Sequence, residues 1–168
     1  MQKDITTFNN FTNKITNSFW RFIFMITKLP AAFFSGVKLV SVNENDCTIS
    51  VKHTWFTKNP FKSIYFACLA MAAEMSTGIL AMGHTFQLSP PVGMLVSEVK
   101  ANFIKKATGK ITFVSKDGEQ IMAAVNNACS NGVTTFVETN SIGTNEEGII
   151  VAHFIITWAF KQQHSQNI

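Results

Sequence analysis

One carboxylate stands alone in a long apolar stretch. Between Lys62 and Glu98, Glu74 is the sole residue of carboxylate, Lys or Arg type. Its neighbours Ala67, Ala70, Met71, Ala73, Thr77 and Gly78 are small or apolar. Read as a helix, Ser63, Ala67, Ala70, Glu74 and Ala81 fall near one side, with Thr77 and Gly78 beside it. A carboxylate on such a side is partly desolvated, which raises its pKa and suits a general base. A buried charge without a partner is costly, so Glu74 has either a chemical role, or a distant Lys or a hydrogen-bonding neighbour for a partner. Both readings stay open at this level.

Other reactive side chains form no familiar constellation. His53 lies on an apolar strand face, His84 follows Gly83 at the end of an apolar run, and His153 sits near the C-terminus. No two histidines have ligand spacing, so no metal site is expected. Neither a G-x-S-x-G elbow nor phosphate-loop text occurs. Cys47, Cys68 and Cys129 lie far apart, odd in number and without a C-x-x-C pair. That pattern fits reduced thiols in a cytoplasmic protein better than a disulfide framework.

The elements that must position these residues follow from periodicity. Phe8, Phe11, Ile15, Phe19, Phe22 and Ile26 recur at helical spacing, predicting an N-terminal amphipathic helix over 8–28, ended by Pro30. It packs on the domain or a partner subunit; a membrane surface is the weaker fit, since its polar face has few cations. From Gly36 the period changes to two, predicting a hairpin over 37–55 with a turn at 43–46. Asn59-Pro60 reads as an N-cap followed by the first helical position of a long buried helix, reaching Gly78 or Met82, with Gly83 as its stop. Strands are predicted over 94–106 and 110–116, then a short helix capped at Asn131-Gly132, then strands over 133–142 and 149–161. The simplest packing is α+β: an antiparallel sheet wrapped round one apolar helix.

Composition bounds the rest. The chain has 168 residues, 46% hydrophobic and 14% charged, with a formal net charge of +4. That is one domain with a sizeable core, too apolar to be disordered. The positive surplus is small and undirected, so no nucleic-acid partner is expected. Residues 64–82 are long enough to span a bilayer, but Glu74 at the centre costs roughly 2.5–3.5 kcal/mol on the mildest insertion scale. The segment therefore reads as a core helix, and no integral membrane segment is expected.

The stretch Asn59-Pro60-Phe61-Lys62-Ser63-Ile64-Tyr65-Phe66-Ala67-Cys68-Leu69-Ala70-Met71-Ala72-Ala73-Glu74 resembles the signature of hotdog-fold acyl-CoA thioesterases. That signature runs Asn, two residues, Gly, two residues, His-Gly-Gly, then a small-residue helix ending in Asp or Glu. The spacing from Asn59 to Glu74 fits without a gap. Closer still, the text is similar to the branch catalogued as a domain of unknown function. The signature's His is Tyr65 here, and its glycine pair is Phe66 and Ala67.

The resemblance implies a single α+β hotdog domain over 31–162, preceded by the helical segment 1–30 and followed by a polar tail at 163–168. It implies hydrolysis of an acyl thioester by a water that Glu74 activates, or attack by Glu74 itself. Asn59 holds the water or the carbonyl, or caps the helix. Tyr65 replaces the histidine as a donor, or is a core aromatic. The Phe66 and Ala67 amides at the helix start form the oxyanion hole. Thr77 orients the water, or bonds its own helix backbone. Lys105, Lys106 and Lys110, near Lys100 around one hairpin, meet the phosphates of coenzyme A or serve as ordinary edge lysines. Coenzyme A enters as part of the substrate, with no separate cofactor. A homodimer, or a dimer of dimers, with the acyl pocket at the subunit boundary is implied. The alternative is a hotdog that binds an acyl or lipid-like ligand without turnover.

Overall fold

The computed structural model describes residues 5–163. The polar tail at 163–168 lies, apart from Gln163, outside the described residues.

The expected single helix over 8–28 is two helices, α1 at Ile5–Thr16 and α2 at Ser18–Lys28. The break has a local cause. Asn17 adopts an extended backbone, and its side-chain oxygen accepts from Phe19 N at 3.0 Å and Trp20 N at 3.3 Å. An N-cap in mid-run restarts the helix in a new direction. Phe8, Phe11 and Ile15 of α1 are buried, whereas α2 buries Met25 alone. Pro30 then opens a short α3, Pro30–Phe34, as a residue suited to a helix's first turn.

Strands β1, Lys38–Val42, and β2, Cys47–Lys52, form the predicted hairpin. Asn43 Oδ1 closes its turn by accepting from Asn45 N and Asp46 N, each at 2.8 Å.

The long helix, α4, spans Phe66–Thr85 and does not start at residue 59. Asn59 is committed elsewhere. Its Oδ1 accepts from Phe61 N at 3.0 Å and from Ser63 N and Oγ at 3.2 Å each, and its Nδ2 donates to Ile64 O at 3.4 Å. These bonds close a loop over 59–64, and the N-cap position passes to Tyr65, whose side chain caps nothing. Gly83 does not stop the helix either. The Phe8 ring of α1 occupies the space where a Cβ of residue 83 would stand. The glycine is a crossing point between helices, with α4 continuing to Thr85.

Next come β3, Val92–Phe103, β4, Lys110–Ser115, α5, Gly118–Asn131, β5, Thr135–Thr144, and β6, Ile150–Gln162. Gly132, at φ 63°, closes α5 as predicted, its N–H donating to Ala128 O at 3.2 Å. The six strands form one antiparallel sheet in the order β1-β2-β4-β5-β6-β3. Ala72, Ala73, Ile79, Leu80 and Ala81 of α4 are fully buried in one cluster with Ile49, Ile111, Phe113, Phe154 and Ile156 of the sheet. Each large apolar side chain buried there contributes about 1.5–3 kcal/mol. By length and composition α4 could cross a membrane, but 67% of its most apolar window is buried in this core. The sheet ends on β3, which pairs with β6 alone and leaves Leu95, Val99 and Phe103 exposed.

Candidate functional site

The start of α4 opens onto a hollow of about 620 Å³. Asn59, Ser63, Tyr65 and Phe66 line it from the loop and helix, and Phe103, Ile104, Lys105 and Lys106 line it from the segment after β3. Backbone bonds hold the two sides together. Ile64 N donates to Ala107 O at 2.9 Å, and Ile104 N and Lys105 N donate to Val151 O at 2.9 and 3.2 Å. Tyr65 N donates to Thr57 O at 2.7 Å, which sets the entry angle of the helix.

At this helix start the N–H groups of Phe66 and Ala67 have no intrahelical acceptor, and no side chain caps them. Unpaired N–H groups at the positive end of a helix favour an anion or a developing oxyanion. The Phe66 ring is 56% exposed and lies 4.9 Å from the Tyr65 ring and 6.4 Å from Phe103. Tyr65 is exposed too, so the core-aromatic reading fails. Its hydroxyl has no partner among the described residues. The hollow thus joins an apolar wall, an uncapped helix start and two cations.

Glu74 does not line this hollow. It lies eight residues along α4, roughly 12 Å at 1.5 Å per residue. No lysine or arginine clamps it, and its carboxylate has no hydrogen-bond or ion-pair partner among the described residues. Burial pushes its carboxyl above the ordinary value of 4.5. Among the described residues the pairing with a distant Lys is therefore absent, as is a hydrogen-bonding neighbour, and a half-buried acid remains.

Thr77 takes the backbone option. Its hydroxyl is buried, donates to Glu74 O at 3.0 Å, and accepts from Trp158 Nε1 at 3.0 Å. This leaves it little to offer a water. Lys105 and Lys106 meet at the hollow, while Lys110 does not line it and starts β4 opposite Lys52. Lys100 is held by Glu98 at 3.2 Å and Glu138 at 3.6 Å. No group of three or more His, Cys, Asp or Glu could hold a metal among the described residues.

Phe61, Leu69, Phe103 and Ile104 also line the hollow, unforeseen from the sequence. A signal existed for two of them: Phe103-Ile104 precede Lys105-Lys106 directly, an apolar-to-basic change at a strand end. Trp158 carries no such signal, being 81 residues from its partner Thr77.

Several solved structures share this architecture. A Pseudomonas aeruginosa protein of unknown function, described as a "probable thioesterase", superposes with a TM-score of 0.73 at 20% identity, covering 83% of this chain and 92% of that one. A Chlorobaculum tepidum protein of unknown function gives a TM-score of 0.73 at 14% identity, covering 93% and 94%. A Haemophilus influenzae thioesterase gives 0.59 at 14% identity, covering 96% and 95%. These likenesses establish the hotdog fold expected from the signature. No curated protein matches the chain. Over residues 20–160 the sequence matches the family model described as a domain of unknown function, DUF4442, and the chain belongs to that family.

Proposed function

We propose that the protein hydrolyses an acyl thioester, with Glu74 activating the water and the Phe66 and Ala67 amides receiving the oxyanion. The observation that carries this reading is the half-buried Glu74 carboxylate, without a hydrogen-bond or ion-pair partner among the described residues and held above its ordinary pKa by burial. Lys105 and Lys106 at the rim suit the phosphates of coenzyme A, the thiol carrier we favour. Three free cysteines, two of them buried, fit a cytoplasmic setting.

The reading requires a homodimer. One chain holds Glu74 too far from its own hollow, but the geometry of β3 supplies a second route. Glu74 lies near Trp158, which pairs with Val96 in the first half of β3, while Phe103 at the end of β3 borders the hollow. A two-fold that pairs β3 with its copy, antiparallel about its middle, sets the end of one β3 opposite the first half of the other. Glu74 of one protomer then approaches the hollow of its partner. The exposed, singly paired β3 edge supports this assembly.

A second reading, an acyl-binding protein without turnover, is favoured by the Phe66 ring, which lines the hollow where a glycine would leave room. Free-thiol release from a panel of acyl-CoA thioesters separates the two. Hydrolysis lost by about a hundredfold or more in Glu74→Ala supports catalysis. Measurable acyl binding with no thiol release at any chain length overturns it.

A further inference from the structure

Helix α2 turns most of its apolar surface outward. Phe19, Phe22, Ile23 and Ile26 stand at i, i+3, i+4 and i+7, one face of the helix, and all are exposed, Phe19 by 64% and Phe22 by 49%. A helix of a globular domain normally buries that face, but here α1 performs the packing. The patch extends sideways. The Trp20 ring lies 5.6 Å from Phe19, Phe22 lies 5.5 Å from Phe33, and Phe33 lies 5.4 Å from the exposed Phe34.

Helix α2 alone carries few cations, which makes a membrane surface the weaker fit from sequence, but the fold brings Lys38 of β1 to the same hollow as Arg21. Between residues 5 and 43 the chain carries Lys14, Arg21, Lys28 and Lys38 and no Asp or Glu. Arg21 and Lys38 line one hollow of about 330 Å³, with Phe22 and Phe33 in its wall and no acid in its lining. Arg21 Nη1 donates to Thr16 O at 2.9 Å, and neither cation has an ion-pair partner among the described residues. At 11 residues α2 is about 16 Å long. That is far short of the roughly 20 residues a span needs, so it suits the plane of an interface.

We propose that α2 and α3 form a docking surface for an anionic lipid bilayer. Phe19, Phe22, Ile23 and Ile26 enter the boundary between headgroups and acyl chains, and the Arg21–Lys38 hollow receives a lipid phosphate. The acid-free run of cations favours this occupant over a second copy of the chain, because a two-fold contact through the patch would bring like charges together. The surface shares no lining residue with the hollow at the start of α4, and it stands whether or not the protein is a hydrolase.

Co-sedimentation of the full chain with two kinds of vesicle tests the proposal: phosphatidylcholine alone, and equal parts phosphatidylcholine and phosphatidylglycerol. The expected result is binding to the anionic vesicles on the order of tenfold or more tighter than to phosphatidylcholine, a preference that shrinks as salt rises. Phe19→Ser/Phe22→Ser/Ile26→Ser, all at exposed positions, should lower binding on the order of tenfold or more with unchanged circular dichroism. Arg21→Gln/Lys38→Gln should bring anionic binding down to the phosphatidylcholine level. Wild-type protein left in the supernatant with both vesicles, or equal binding to both, overturns the proposal. So does a triple variant that changes a dimer into a monomer in sedimentation equilibrium, because the patch would then lie between copies.

Discussion

Gly78 lies directly against Glu74: a Cβ at position 78 would stand 3.0 Å from Glu74 Oε1 and 3.3 Å from Trp158 Cζ2. The carboxylate rests in the notch left by the missing side chain, one helical turn from its own Cα. Glycine inside a helix costs about 1 kcal/mol relative to alanine, so Gly78→Ala gains propensity while pushing the flexible end of Glu74 aside. We expect its stability to stay within about 1 kcal/mol of wild type. Thioester turnover should fall on the order of tenfold or more, because small misplacements of a reacting group are costly. Thermal unfolding and free-thiol release on the same preparation check both halves.

The raised pKa of Glu74 makes opposite statements about stability and rate. The folded state holds its proton to higher pH than the unfolded chain, whose carboxyl titrates near 4.5. Glu74 therefore contributes its full stability below that value, and the contribution is lost as pH rises through the folded pKa. Glu74→Gln removes the loss, so the variant should gain on wild type as pH climbs from 4.5 towards neutrality. If Glu74 is the general base of the proposed hydrolysis, rate runs the other way: the base must be ionised, so kcat/KM should climb over that same window. Urea unfolding and a pH–rate profile, measured side by side, test the pair.

Thr77→Val distinguishes a structural hydroxyl from a water-orienting one. The substitution keeps the shape but leaves Trp158 Nε1–H without the acceptor it now has at 3.0 Å. An orphaned buried donor costs about 1–3 kcal/mol, and that much stability should be lost. Turnover per folded molecule should change little, and Thr77→Ser should restore stability. Intact stability with collapsed turnover would instead assign the hydroxyl to the reaction.

How much of this was legible depends on whether the signal was local. The strands show as period-two alternation, and Gly132 shows as a helix stop because its φ of 63° is what a left-handed cap requires. Gly83 carries the same letter in the same kind of place, yet its reason is the Phe8 ring, 75 residues away in the chain, which no local pattern announces. Asn59 misleads for a related reason. An Asn before Pro is a good N-cap, but here its amide closes the loop over 59–64 and the helix waits until Phe66. Within the site, Glu74 stands out because it is alone, and Lys105 and Lys106 because they are charged. Their separation within one chain is a tertiary fact that spacing does not contain.

Lys62 explains one letter of the signature and yields a stability test. Its φ is 59°, in the left-handed region, at the position where the signature places glycine. A side chain there costs about 1–2 kcal/mol, partly offset by the freedom a glycine adds to the unfolded chain. Lys62→Gly should therefore raise stability by roughly 0.5–1 kcal/mol in denaturant unfolding. The Lys62 N–H bond to Asn59 O, at 3.1 Å, does not depend on the side chain and should persist.

A site shared between two chains, as proposed, makes a prediction that a single-chain site does not. Glu74→Ala destroys the acid and keeps the hollow, while Lys105→Glu/Lys106→Glu reverses the rim charge and keeps the acid. Each variant alone should be nearly inactive towards acyl-CoA. If Glu74 serves the hollow of the partner, a mixed dimer holds one site with both defects and one with neither, so mixing the variants under conditions of subunit exchange should restore thiol release. If each chain worked with its own Glu74, every site in the mixture would carry one defect and no activity would return. The roughly 12 Å along α4 between Glu74 and Phe66 is too long for one water to bridge, and this favours recovery.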